Sequence, residues 1–394
     1  MRYPEFLPEN GTIGFAAPAF GCNVEPYRSA FDHAQEVFKS KGYGIDLGPN
    51  CYAGCGIGIS NTPEKCGQEL MDQYLSEEND VLLSCGGGEL MCEVLQYVDF
   101  ERLAQAKPKW YMGYSDNTNF TFLLTTLCDT ASVYGPCAPA FGMRDWHPAI
   151  QDAFGVLTGE AAAGGRNARG GSAGEAAAGS RNARGGLAGE QAVAAAAGNP
   201  YPVFTFRGYD LYEVEGLKDK EHPLEPYHVT EPAIRRCFLP DGAGGLREVP
   251  AADCDVTVSG RLLGGCLDIL EMFPGTPYDQ VWDFDERYRE DGILWFLESC
   301  DLTVLSIRRA IWQLKNAGWF DHVKGFLIGR PYNGGEVLGL DRYHAVTDLL
   351  AEYGVPVLMD LDFGHIPPML PLITGSLATV DLKKNDLTVK MELL

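Results

Sequence analysis

A chain of 394 residues has room for two or three domains, and its 45% hydrophobic and 22% charged content excludes a disordered polymer. Thirty-one Lys and Arg against 54 Asp and Glu leave a net charge of −23, which repels polyanions and argues against nucleic-acid or anionic-membrane partners. No apolar run of about 18 residues reads as a membrane span. The opening Met1-Arg2-Tyr3-Pro4-Glu5-Phe6 lacks the basic-then-apolar order of a secretory signal.

Thr12 to Ala17 reads as a buried strand ending at Pro18, and Phe31, Ala34, Val37 and Phe38 then recur at helical spacing before Gly42. Val81 to Cys85 is a second strand, running into Gly86-Gly87-Gly88 and a helix carrying Leu90, Val94, Leu95 and Val98. Trp110 to Tyr114 is a third, followed by a helix with Phe120, Leu123 and Leu124. This rhythm predicts a parallel sheet covered by helices, with active groups beyond the C-terminal ends of its strands.

Gly159 to Gly198 is different in kind: 26 of its 40 residues are Ala or Gly, and Gly159-Glu160-Ala161-Ala162-Ala163-Gly164 recurs 15 residues later. So few large side chains cannot build a solenoid core, so the segment reads as a flexible, partly helical surface insertion without catalytic relevance. Tyr201 to Asp255 is polar, Pro-rich and without clear period. Order returns with the strand Val256–Leu263, the helix Leu267–Phe273 and the strand Ile293–Leu297. Val304, Ile307, Ile311 and Leu314 then mark a helix, and the strands Phe326–Ile328 and Val355–Met359 flank a helix near Tyr343–Glu352. The expected organisation is an N-terminal α/β domain (1–150), the insertion (151–200) and a C-terminal mixed α/β domain (201–394).

The twelve Cys are scattered from Cys22 to Cys300, which suits reduced thiols in the cytoplasm rather than a disulfide-stapled fold. Cys51 and Cys55, with Cys66 beyond, have ligand-like spacing, but no matching Cys or His pair follows, so neither a metal nor a cofactor is expected.

Gly113-Tyr114-Ser115-Asp116-Asn117-Thr118 places a serine at a strand-to-helix turn, where its hydroxyl is pushed out of the sheet toward helix N-terminal N–H groups. The plainer reading is that Ser115 or Asp116 only caps the helix. Gly86-Gly87-Gly88 allows close backbone approach and could complete an oxyanion hole, or form a simple turn. Glu89 follows it, so it is not a Walker loop, and Gly54-Cys55-Gly56 with Ile59 fails the dinucleotide fingerprint. Cys85, on an apolar strand, reads as buried rather than nucleophilic. A serine nucleophile needs a base. His33, His147, His222, His228, His322 and His344 fall on helices or in loop-like segments, whereas His365 follows a strand in Phe363-Gly364-His365-Ile366-Pro367-Pro368. Glu298, ending five apolar residues, is costly to bury unpaired and so needs a partner; Asp301 reads instead as a cap of the next helix, while Asp360 and Asp362 compete as the carboxylate beside His365.

These segments resemble the LD-carboxypeptidase and microcin-C-immunity serine peptidases. The matching blocks are Gly11–Pro18, Gly86-Gly87 with Leu95 and Asp99, Pro108–Asp116, Tyr134-Gly135-Pro136, Gly264-Gly265 with Gly275-Thr276-Pro277-Tyr278, Ile293–Glu298 and Gly364-His365, in the family's order. The resemblance implies a Ser115–Glu298–His365 triad and an oxyanion hole from the N–H groups of Asp116 and Gly87. It also implies a flavodoxin-like parallel-sheet domain, a C-terminal mixed α/β domain that swivels against it, and a homodimer. Cys266 stands where the family usually has Asn, and Gly86-Gly87-Gly88-Glu89 leans toward the microcin-immunity branch. The substrate expected first is a small peptide, a murein tetrapeptide losing its terminal D-Ala. A peptidyl- or aminoacyl-nucleotide conjugate is the alternative, with Trp146 as an aromatic platform; a non-catalytic binding protein on the same scaffold is the third reading. Arg308, or its neighbour Arg309, is the candidate for holding a substrate carboxylate.

Overall fold

The computed structural model describes residues 1–55, 60–162 and 201–394. The first half builds β1 (Thr12–Ala16), α1 (Tyr27–Ser40), β2 (Gly44–Leu47), α2 (Pro63–Leu75), β3 (Val81–Ser84), α3 (Phe100–Gln105), β4 (Trp110–Gly113), α4 (Thr118–Thr126), β5 (Ser132–Tyr134) and α5 (Pro148–Thr158). The second half opens with β6 (Val203–Arg207), β7 (Leu211–Glu213), β8 (Val229–Pro232), β9 (Arg236–Pro240), β10 (Leu246–Val249) and β11 (Asp255–Cys266). It continues through α6 (Leu267–Leu270), α7 (Val281–Arg287), β12 (Ile293–Glu298), α8 (Val304–Asn316), β13 (Val323–Gly329) and α9 (Arg342–Leu350). The chain closes with β14 (Val357–Leu361), β15 (Leu372–Thr374), β16 (Leu377–Lys383) and β17 (Asp386–Glu392).

One sheet has the order β15-β5-β4-β3-β1-β2 and the other β10-β9-β14-β13-β12-β11-β16-β17-β6, with β7 and β8 forming a separate ribbon. β1 to β5 are parallel, as the alternation of strands and helices predicts. β11 to β14 form a second parallel block. β12 is buried along its whole length, which explains its unbroken apolar run: a parallel strand covered on both faces has no polar side to show. α1 buries Phe31, Ala34 and Phe38, and α8 buries Val304, Ile307, Ile311 and Leu314, the residues whose spacing marked each helix.

The two halves are joined more closely than a simple division suggests. β15, from the C-terminal half, pairs antiparallel with β5 of the N-terminal sheet. Buried hydroxyls of Thr125, Ser132 and Thr374 bond one another across this junction. One core cluster runs from Phe15 and Trp110 to Phe204, Phe296 and Leu358.

Several expectations change. The helix foreseen after the triple glycine is a 3-10 segment, Met91–Tyr97, because Asp99 caps a new helix through Arg102 N–H (2.9 Å) and divides the run. The stretch 201–255 is not irregular: it supplies β6 to β10, edge strands and a ribbon whose short, partly exposed strands give little apolar pattern. Residues 151–158 belong to α5, and the repeat beyond Ala162 lies outside the described residues. No helix of the described residues is long and apolar enough to cross a membrane.

Candidate active site

β4 ends at Gly113, Tyr114 stays extended, and Ser115 turns sharply with φ 64° into a one-turn helix, Ser115–Asn117, that leads into α4. A serine in the left-handed region costs about 1–3 kcal/mol, and the surroundings hold it there. Asn117 lies beneath the turn, donating to the carbonyls of Gly86 (2.8 Å) and Tyr114 (3.0 Å) and accepting from Tyr111 Oη. The Asp116 side chain points away from the hydroxyl: it accepts from Met91 N–H (3.0 Å) and Asn119 Nδ2 (2.8 Å), and burial pushes its carboxyl up to about 7. The Asp116 N–H occupies the first helical turn, where backbone donors have no acceptor within the helix. A Cβ on Gly87 would lie 3.1 Å from Ser115 Oγ, so glycine here leaves the hydroxyl room against the backbone.

His365 comes from the loop after β14. Its Nε2 lies 2.8 Å from Ser115 Oγ and its Nδ1 2.8 Å from Glu298 Oε2. Gly364 before it has φ 101°, and a Cβ there would stand 2.6 Å from Glu298 Oε2, so glycine is what lets the loop fold over the carboxylate. The loop is rooted by Asp362, which is buried between Arg235 and Arg330 and whose carbonyl accepts from Leu370 N–H (2.7 Å). Asp362 is thereby committed elsewhere, as is Asp360, which bonds Tyr343 Oη (2.8 Å).

Glu298 ends β12 and is fully buried, with Tyr134 Oη donating to Oε1. Burial alone would raise its carboxyl pKa, but His365, Tyr134 and the Cys266 thiol outweigh it and hold it below the usual carboxylate range. Burial works against a charged His365, yet the Glu298 carboxylate and Cys300 overcome it and raise the imidazole above its ordinary value. Tyr134 also accepts from Ser115 N–H (3.2 Å), so one phenol ties nucleophile turn and carboxylate together. Sequence reasoning passed over this role; the Tyr134-Gly135-Pro136 block was the available signal.

A hydroxyl, imidazole and buried carboxylate in this line can take a proton from the hydroxyl and stabilise the resulting imidazolium. The donor atoms of Cys266, Glu298 and His365 also lie within 4.8 Å of one another, whereas Cys51 and Cys66 are buried with their thiols on Phe15 O and Ser60 Oγ. Glu89 lies within electrostatic reach of His365. Burial, then Asp301 and Asp268, push the Glu89 carboxyl up, while His365 opposes them.

Two candidates sit away from this centre. Arg308 reaches across to α9, donating to Asp348 Oδ2 and the His344 carbonyl (both 2.9 Å), so its charge is spent on a helix–helix contact. Arg309 bonds Ser306 Oγ (2.9 Å). Trp146 packs on Phe38, Phe141 and Phe154, donates to the Phe141 carbonyl (2.8 Å) and carries Lys41 over its ring at 4.6 Å. Lys41 follows the C-terminal end of α1, at the edge of the sheet opposite the strand ends that carry Ser115. The tryptophan therefore lines a different hollow, with Tyr43 and Arg144.

Models of the LD-carboxypeptidase N-terminal domain and C-terminal domain match residues 13–135 and 259–380. The chain belongs to the LD-carboxypeptidase family. Among family relatives, a Vibrio cholerae protein described provisionally as a carboxypeptidase is 21% identical over all of this chain and 98% of its own length. A Streptomyces coelicolor protein described in the same way is 34% identical over 37% of this chain, a match spanning only 43% of that relative. The fold is that of the microcin C7 self-immunity protein MccF, solved in complex with aspartyl sulfamoyl adenosine, at TM-score 0.72 and 18% identity over 99% and 98% of the two chains. Muramoyltetrapeptide carboxypeptidase of Oxalobacter formigenes gives TM-score 0.63 and 18% identity over 96% and 98%.

Proposed function

We propose that this protein is a serine peptidase that hydrolyses an amide bond at the C-terminal end of a small peptide. Ser115 is the nucleophile, His365 the base that later protonates the leaving amine, and Glu298 the residue that orients and charges His365. The N–H groups of Asp116 and Gly87 receive the oxyanion. The observation that carries this reading is the 2.8 Å and 2.8 Å line from Ser115 through His365 to Glu298, built from residues 250 and 67 positions apart. Scattered free thiols suit a cytoplasmic enzyme, and a homodimer is the expected assembly.

The substrate we infer first is a murein tetrapeptide losing D-Ala, in line with the fold shared with a muramoyltetrapeptide carboxypeptidase from Oxalobacter formigenes. The nucleotide-conjugate reading keeps the same machinery and is favoured by the likeness to MccF in complex with an aminoacyl sulfamoyl adenosine. Trp146 no longer supports it; Tyr114, whose ring lies 5.1 Å from that of His365, is an aromatic wall at the site. Parallel hydrolysis of an L,D-tetrapeptide and an aminoacyl sulfamoyl-adenylate, with Ser115→Ala as control, decides. Release of D-Ala absent from the control supports the peptidase, and cleavage of the adenylate alone supports the other. Turnover by Ser115→Ala equal to wild type overturns both.

A further inference from the structure

Cys266 ends β11 directly beside the triad carboxylate, since its register partner on the parallel strand β12 is Glu298. Register neighbours carry their side chains to the same face of a sheet, and the Cys266 thiol bonds the Glu298 carboxylate. The backbone pins this position, because Cys266 N–H donates to Thr118 Oγ1 (3.0 Å). Both side chains are buried, and the thiol also donates to Asp268 Oδ2 (3.3 Å). A soft sulfur is thus placed among carboxylates within the catalytic centre, and the serine mechanism makes no use of it.

The ligand atoms of Cys266, Glu298 and His365 all lie within 4.8 Å of one another. A tetrahedral zinc ion with bonds of about 2.0–2.3 Å needs its sulfur, nitrogen and oxygen ligands about 3.3–3.7 Å apart, so small side-chain shifts complete three corners. Thiolate, imidazole and carboxylate together suit zinc and not the hard ions magnesium and calcium. A second thiol, that of Cys300, bonds the same imidazole. Charge favours a cation as well: Asp268 and Asp301 stand within electrostatic reach of Glu89, which in turn reaches His365. His365 and Cys300 are partly exposed, which leaves a path from solvent.

We propose that Cys266, Glu298 and His365 form a zinc site and that zinc bound there switches hydrolysis off. The switching-off rests on the serine-peptidase reading; the binding does not. The ion enters between Glu298 Oε2 and His365 Nδ1, which are 2.8 Å apart, in place of the ring proton. That proton passes to Nε2, which then donates to Ser115 Oγ instead of accepting from it, so no base remains for the nucleophile. The Cys266 thiol gives its proton to water, and no atom is oxidised or reduced.

The test uses the full-length protein, reduced and metal-free, with Zn²⁺ at chelator-fixed free concentrations and Co²⁺ as a spectroscopic probe. Wild type binds one Co²⁺ per chain with the near-ultraviolet charge-transfer band of a thiolate–cobalt bond, and Zn²⁺ displaces it. Cys266→Ser and Cys266→Ala weaken Zn²⁺ binding about a hundredfold or more. His365→Ala, with the thiol intact, weakens it about tenfold or more, and Ser115→Ala binds as wild type does. Hydrolysis by each folded variant is compared with its own metal-free rate. Saturating Zn²⁺ lowers wild-type kcat about a hundredfold or more, a chelator restores it, and the Cys266 variants need about a hundredfold more Zn²⁺ for the same loss. Equal zinc affinity in wild type and the Cys266 variants, a cobalt spectrum without the sulfur band, or zinc bound without loss of hydrolysis overturns the proposal. Failure of the underlying reading would appear separately, as a metal-free wild type whose Ser115 takes up no uncharged fluorophosphonate, and the binding measurements would still judge the site.

Discussion

At the scale of single residues, the site depends on how burial and pairing set proton affinities. Free His365 must be neutral to accept the Ser115 proton, and the Glu298 carboxylate raises its pKa. Wild-type kcat/KM is therefore expected to climb with pH through an apparent pKa above 6.5. Glu298→Gln removes the charge that sustains the imidazolium, so its profile shifts to lower pH and its plateau falls by about a thousandfold or more. A pH–rate series on both proteins checks the direction. Tyr134→Phe removes a donor from Glu298 and an acceptor from Ser115 N–H. Hydrogen bonds to charged groups are worth about 1.5–3 kcal/mol, so kcat should drop roughly ten- to a hundredfold with the fold intact, read from steady-state kinetics beside a thermal melt. Ser115, Glu298 and His365 were visible as residue types at strand ends, but composition could not choose Glu298 over Asp360 or Asp362. The family resemblance implied Glu298, and in the assembled structure Arg235 and Arg330 occupy Asp362 while Tyr343 bonds Asp360. The Tyr134-Gly135-Pro136 block marked Tyr134 but not its role, since its two partners follow strands of different sheets. Arg308 and Trp146 looked suitable by type, and packing directs both elsewhere.

At the scale of elements, the strands and helices with a dense apolar period were legible: β1, β3, β4 and β12 fall where the sequence places them within a residue or two, and α1 and α8 contain the residues whose spacing marked them. The edge strand β10 and the β7–β8 ribbon were not, because half-exposed strands of three or four residues leave almost no alternation to read, and the alternation of β6 over Phe204 and Phe206 is only five residues long. The loop bearing His365 shows how one backbone position serves the chemistry. Gly364 combines φ 101° with no room for a Cβ beside Glu298. Gly364→Ala should cost about 1–3 kcal/mol in denaturant unfolding and lower kcat more than about tenfold, because the loop must lift and His365 moves with it. Unchanged kinetics in that variant would mean the loop adapts freely.

At the scale of the whole molecule, Ser115 and His365 follow strands of different sheets, and one core cluster spans both sheets. The sequence predicted two domains with the triad divided between them. It did not reveal β15, a three-residue strand from the C-terminal half completing the N-terminal sheet. The 15-residue repeat contains none of the residues assigned a role above. Deleting one period, residues 174–188, should leave kcat/KM within about twofold, since loop-closure entropy changes slowly with length. A large loss in a variant with an unchanged thermal midpoint would give the repeat a catalytic role.

The most direct measurement is intact-mass analysis after exposure to a small uncharged fluorophosphonate, with the modified peptide sequenced. A single adduct on Ser115, lost in Ser115→Ala and formed far more slowly in His365→Ala, is the predicted result. Active hydrolysis of a peptide substrate by a protein whose Ser115 remains unmodified, or an equal labelling rate without the imidazole, would contradict the account.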